Sequence, residues 1–96
     1  MQKHKFMKNL IGNTPLIKIN YEYKGILKSI YTKLEYYNLT GSIKDRVIYY
    51  ILTKEKLNGN LTSDMILIEA TSGNTGIALA AIGAYLNHKV HIFMPD

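Results

Sequence analysis

The sequence predicts an α/β fold, with a parallel βαβ core preceded by a short β-hairpin. Three observations carry that prediction. Two short apolar segments, 65–69 and 89–94, flank an alanine-rich segment of helical length at 75–86. A strand, a helix and a second strand joined by a short return make a βαβ unit, which implies parallel strands and a right-handed crossover. Upstream, segment 29–36 alternates: Ile30, Thr32, Leu34 and Tyr36 share one face, and Tyr31, Lys33 and Glu35 the other. It is expected to pair with a strand at 16–19.

The elements follow in order. Residues 1–9 are polar and carry no pattern. Ile11-Gly12-Asn13-Thr14-Pro15-Leu16 is turn punctuation opening an extended segment. Gly12-Asn13 accepts positive φ, and Pro15 pushes Thr14 out of the helical region. Lys24-Gly25 is the expected hairpin turn. After the loop Asn38-Leu39-Thr40-Gly41-Ser42, a helix is expected over 43–57, with Ile43, Val47, Tyr50, Ile51 and Lys54 along one face. Ser42 followed by Asp45 reads as a capping box with Asp in place of Glu. Asn58-Gly59-Asn60 ends that helix through a left-handed residue. Asn87-His88 is a turn, and Pro95-Asp96 stops the last strand. Ala78, Ala80, Ala81, Gly83 and Ala84 are small residues that let the second helix lie close to its neighbours. Core packing accounts for them.

Composition bounds the function. The chain has 96 residues, enough for one small domain with a modest core. It has no cysteine, so disulfides and thiolate metal sites are excluded. The net charge is +5, but Arg46 is the only arginine and only Lys3, Lys5 and Lys8 cluster, so no nucleic-acid partner is expected. The N-terminus lacks the apolar core of a secretory signal, and the apolar run 77–86 is about half a membrane span. A cytoplasmic protein without membrane contact is the default. His4, His88 and His91 suggest no metal site, since His88 and His91 fall on opposite faces of a strand. The eight tyrosines are expected to be half-buried packing rather than a stacking surface.

Two loops carry the chemistry. Glu69-Ala70-Thr71-Ser72-Gly73-Asn74-Thr75-Gly76 ends a strand and opens a helix. The first N–H groups of a helix have no intrahelical partner, and the dipole adds positive potential there. A carboxylate or phosphate fits such a cup. The alternative is an ordinary loop capped by Asn74 or Thr75. In the other loop, Lys44 stands near the start of its helix, against the dipole and two residues from Arg46. Both effects favour its neutral amine if the side chain is partly buried, and a neutral lysine forms imines or acts as a base. The alternative is an exposed lysine in a charged surface run. An imine-forming amine beside a carboxylate cup suits amino-acid chemistry on a pyridoxal cofactor.

Ile11-Gly12-Asn13-Thr14-Pro15-Leu16, Gly41-Ser42-Ile43-Lys44-Asp45-Arg46 and Thr71-Ser72-Gly73-Asn74-Thr75-Gly76 occur in one order and at spacings that resemble a known family. It is the N-terminal part of the cysteine synthase (O-acetylserine sulfhydrylase) and cystathionine β-synthase family, fold-type II enzymes using pyridoxal 5′-phosphate. The resemblance covers about residues 10–96. It implies that Lys44 holds the cofactor covalently and later moves the substrate α-proton. Asn74 would hydrogen-bond the oxygen on the cofactor ring, and Thr71, Ser72, Gly73, Asn74 and Thr75 would bind the substrate, gripping its α-carboxylate. The implied reaction is a β-replacement, in which sulfide or a thiol displaces acetate or water from an amino-acid substrate. Cystathionine formation, cysteine desulfhydration, serine/threonine dehydration and a non-enzymatic truncated or assembly role are the alternatives. Leu39 and Ala70 stand where the family often has proline. The family's phosphate-binding loop and second domain lie downstream, so residues 1–96 are expected to be an incomplete, N-terminal portion, inactive alone and with exposed apolar surface. The full-length enzyme is expected to be a homodimer.

Overall fold

A computed structural model describes residues 6–96. Lys3, His4 and Lys5 lie outside the described residues. The first regular element is an antiparallel hairpin of β1 (Leu16–Tyr23) and β2 (Ile26–Lys33), with Leu16 opposite Lys33 and Tyr23 opposite Ile26. Its two-residue turn has Lys24 at φ 50° and Gly25 at φ 75°. Two positive φ values match the right-handed twist of the flanking strands, so the turn sets the register. Both strands are longer at the tip than the alternation indicated, and β2 stops sooner. Leu34 and Tyr36 do not continue it, because Glu35–Tyr37 coils into a 3₁₀ turn.

The register puts Ile17, Ile19, Tyr21 and Tyr23 on one face with Thr32, Ile30, Lys28 and Ile26 across from them. That apolar face is exposed, and neither strand packs on any other helix or strand among the described residues. The tyrosines depart from expectation. Tyr21, Tyr23, Tyr31, Tyr36, Tyr37 and Tyr50 are exposed, and only Tyr49 and Tyr85 pack partly buried against the core. Five of those six lie on this uncovered hairpin or the 3₁₀ turn that follows it, and the rings of Tyr36 and Tyr37 stack at 4.8 Å.

The rest is the βαβ unit with one added helix. β3 (Leu67–Ala70) and β4 (Val90–Phe93) pair in parallel, Leu67 beside Val90 and Ala70 beside Phe93. α2 (Asn74–Tyr85) connects them and packs on both, and α1 (Lys44–Leu57) packs on α2. The core is Met7, Ile48 and Leu52 against Ala78, Leu79, Ile82 and Leu86. α1 buries Asp45, Ile48 and Leu52, while Ile43, Val47, Tyr50 and Ile51 stay exposed. Both stripes have helical spacing, and tertiary packing selects the one that contains the carboxylate.

The small residues of α2 do what close packing requires. A Cβ at Gly83 would stand 2.7 Å from Cγ2 of Val90 and 2.9 Å from Cδ1 of Leu67. The helix axis can approach the sheet this closely only without that carbon. Helix ends follow the turn residues. Gly59 (φ 77°) follows α1. After α2, Asn87 turns left-handed at φ 66°, and the N–H groups of Asn87 and His88 donate to the carbonyls of Ala84 and Gly83, a Schellman closure. His88 is buried and donates from Nδ1 to the Met65 carbonyl at 2.8 Å. No helix among the described residues is long and apolar enough to cross a membrane.

Candidate active site

The segment 71–75 lies at the C-terminal end of β3 and opens α2. Ligands of α/β proteins bind outside the carboxyl ends of parallel strands. The N-cap is Gly73, and no side chain caps the helix. Asn74 and Thr75, the capping alternatives, are instead the first two residues of α2. The Gly73 N–H donates to the hydroxyl of Thr71 at 3.2 Å, and the N–H groups of Gly76 and Ile77 donate to the Gly73 carbonyl. Ser72, Gly73 and Asn74 are exposed, Thr71 and Thr75 half-buried. Thr71 stands hard against α2, because a Cβ at Gly76 would lie 2.6 Å from its Cγ2. Thr71 and Ser72 join Ala70, Phe93, Met94 and Pro95 around an open concavity of about 500 Å³.

Lys44 is the first residue of α1, and its side chain is exposed. The burial that would favour its neutral amine is therefore absent. Its N–H donates to Oγ of Ser42 at 3.2 Å. The capping box does not form. Asp45 reaches back past Ser42, and its carboxylate accepts from the N–H of Thr40 at 2.6 Å and from the Thr40 hydroxyl. Asp45 is fully buried. Gly41, at φ 92°, folds the loop so that Thr40 rather than Ser42 meets the carboxylate.

Arg46 does not act as a second free charge beside Lys44 either. It donates from Nε to Oε2 of Glu35 at 2.8 Å and from Nη2 to Oε1 at 2.9 Å. A two-pronged guanidinium–carboxylate pair is among the stronger polar contacts available. The same carboxylate accepts from the Thr14 hydroxyl (2.7 Å) and from Nδ2 of Asn38 (2.7 Å). Asn38 in turn accepts the Gly12 N–H at 2.7 Å. These bonds hold the Glu35 carboxyl down at about 2 from its ordinary 4.5, the Arg46 bond first, then those of Thr14 and Asn38. Three sequence segments, 12–15, 35–38 and 44–46, are thereby tied together.

Sequence reasoning missed Glu35, Asn38 and Thr14 as parts of this network. Thr14 and Glu35 are 21 positions apart, and Gly12 and Asn38 are 26 apart, so no local period registers them. Asn38 is likewise unmarked in the sequence, and its burial and the bonds at both ends of its amide appear only in the fold. Among the described residues no group of His, Asp and Glu is arranged to hold a metal.

The donor set fits part of a pyridoxal cofactor with its amino-acid substrate. An exposed primary amine stands at one helix start. Hydroxyls, an amide side chain and an uncapped first turn stand at another, on a helix packed against the first. An amine suits the cofactor's aldehyde carbon, and uncapped amides with hydroxyls suit carboxylate and ring oxygens.

Comparison with known proteins gives the family. The family described as pyridoxal-phosphate dependent enzymes matches residues 7–96. A probable cysteine synthase of Bacillus subtilis is 42% identical over 88 residues, which are 92% of this chain and 28% of that protein. Cystathionine beta-synthase of Saccharomyces cerevisiae is 46% identical over 91 residues, 92% of this chain and 18% of that protein. Among solved structures, a hydrogen sulfide-producing enzyme of Fusobacterium nucleatum superposes with a TM-score of 0.94 at 48% identity, over 99% of this chain and 28% of that one. The chain thus spans less than a third of the length of each of these three proteins.

Proposed function

This chain belongs to the family of pyridoxal-phosphate dependent enzymes, and we propose that it forms the N-terminal part of a cysteine synthase, which replaces the acetate of O-acetylserine with sulfide to give cysteine. The observation that carries this reading is the uncapped start of α2 at Gly73, ringed by Thr71, Ser72 and Thr75 at the end of a parallel strand. A substrate α-carboxylate there accepts from the hydroxyls and the first amides of the helix. Asn74 donates from its side-chain amide to the ring oxygen of the cofactor. Lys44 would hold the cofactor through Nζ, and the same nitrogen, once free, would take the proton from the substrate α-carbon. Pyridoxal phosphate, when bound, supplies the electron sink for that proton removal. In this reading the phosphate anchor and the second domain are supplied outside residues 1–96, the complete enzyme is a homodimer, and it acts in the cytoplasm.

The identity to the yeast cystathionine beta-synthase, 46% against 42% for the Bacillus protein, supports a second reading of the same residues. In it the leaving group is water and the nucleophile a thiol. One experiment tests the residues common to both. Residues 10–96 replace the aligned segment of the Bacillus relative, and cysteine formation from O-acetylserine and sulfide is assayed. The chimera is expected to be active, and Lys44→Ala within it to lose about 100-fold or more of the rate. An active chimera indifferent to Lys44→Ala would remove the assignment. The same graft in the yeast relative, assayed for cystathionine, examines the second reading.

A further inference from the structure

Lys44 is followed by two residues whose side chains are both held. Asp45, the next residue, is buried and clasps Thr40. Arg46, the one after, is clasped by Glu35, which also accepts from Thr14 and Asn38. Arg46 adds a longer bond from Nη2 to the Thr14 hydroxyl at 3.3 Å. The first turn of a helix has no intrahelical partners for its N–H groups and frays most readily. In α1 that turn carries Lys44, whose N–H meets the Ser42 hydroxyl in an exposed contact, while the N–H groups of Asp45 and Arg46 donate to the carbonyls of Ser42 and Ile43 at 3.4 and 3.1 Å. Side chains that leave this turn and bond elsewhere are what keep it in place.

We propose that Glu35 is a positioning residue for Lys44: by holding Arg46 against the 12–15 segment it fixes the first turn of α1, from which the exposed Lys44 side chain extends. Glu35 touches neither substrate nor cofactor in this assignment. It acts through Arg46, and it rests on the reading of Lys44 as the cofactor-bearing amine. Glu35→Gln removes the charge and keeps one accepting oxygen, so Arg46 loses one of its two prongs and either Thr14 or Asn38, both buried, loses the acceptor it shared with that prong. The turn then moves, and a displacement of about 1 Å at a reacting group costs on the order of 100-fold in reactivity.

The test uses the chimera that carries residues 10–96 in the Bacillus relative and compares it with its Glu35→Gln variant. Each is mixed with pyridoxal 5′-phosphate and reduced with borohydride, and the adduct at every lysine is quantified by peptide mass spectrometry. Lys56, half-buried in the last turn of α1, is the internal reference. Amide hydrogen exchange is measured on the same samples. In the parent chimera Lys44 is expected to label in excess of Lys56. In Glu35→Gln the Lys44:Lys56 ratio falls about tenfold, the amides of Asp45 and Arg46 exchange about tenfold faster, and those of Ala78, Leu79 and Ile82 are unchanged. A role in overall stability alone would raise exchange in α2 and label all lysines alike. If Glu35→Gln loses protection in α2, Thr14→Val replaces it. That variant removes one donor, leaves the ion pair intact, and is expected to lower the ratio about twofold.

The outcomes separate. Uniform labelling in the parent chimera overturns the reading of Lys44, and this role with it. Preferential labelling that survives Glu35→Gln or Thr14→Val with α2 intact overturns the role of Glu35 alone. Unchanged exchange at Asp45 and Arg46 does the same.

Discussion

The guanidinium of Arg46 lies against Gly12, so close that a Cβ on Gly12 would stand 3.1 Å from Nη1. Gly12 also has a φ of 84°, a conformation that side chains rarely adopt. Two independent requirements therefore meet at one position: a left-handed backbone, and room for the charged group that is paired with Glu35. Gly12→Ala should violate both. Its expected cost is about 1–3 kcal/mol, read as a lowered midpoint in urea unfolding. An unchanged midpoint would mean that the 12–15 segment is not held as described.

Acid should loosen the same contact. The Glu35 carboxyl sits at about 2 instead of 4.5. A carboxyl whose folded-state value is depressed contributes stability that is present in full above its unfolded value and is lost as pH falls through the folded one. The window is therefore pH 4.5 down to about 2. Urea midpoints measured across it should fall less steeply for Glu35→Gln than for the parent chain. Parallel slopes would show that the carboxylate is not tied to Arg46 in solution.

Close approach of α2 to the sheet makes its own prediction. Gly83→Ala forces a carbon against Val90 and Leu67. Overpacking costs about 1–3 kcal/mol and the better helix propensity of alanine offsets about 1, leaving a net loss of about 1 kcal/mol. Thermal or urea unfolding decides it. A gain in stability would place α2 farther from β3 and β4 than the structure has it.

Cofactor retention should be poor in the isolated chain. Residues 1–96 are expected to show no stable lysine–cofactor absorbance band after incubation with pyridoxal 5′-phosphate and gel filtration, because the residues assigned here hold the amine, carboxylate and ring-oxygen ends and not the phosphate. A stoichiometric band that disappears in Lys44→Ala would show that these elements suffice.

The regular elements were legible because their signals are local. Alternation and the Lys24-Gly25 turn marked the hairpin, and the alanine-rich run between two short apolar segments marked the βαβ unit. Glu35 and Tyr36 escaped that logic. They continue the alternation of β2 on paper, yet they coil into a 3₁₀ turn where Glu35 meets Arg46. The capping box at Ser42 failed for a related reason. The loop brings Thr40 to Asp45, and no rule based on a three-residue spacing sees that.

By itself the sequence determined the order of elements, the helix and turn boundaries to within a few residues, and the two loops that carry Lys44 and Thr71–Thr75. These depend on backbone preferences and on side-chain periods that act over one or two turns. Only the tertiary structure decided which stripe of α1 is buried and that Arg46 spends its charge on Glu35; the exposed apolar surface expected from the sequence is found on the hairpin face. Those outcomes depend on which distant surfaces meet. A buried polar group must find its partner wherever the fold brings one, and for Glu35, Thr14 and Asn38 that partner lies many residues away.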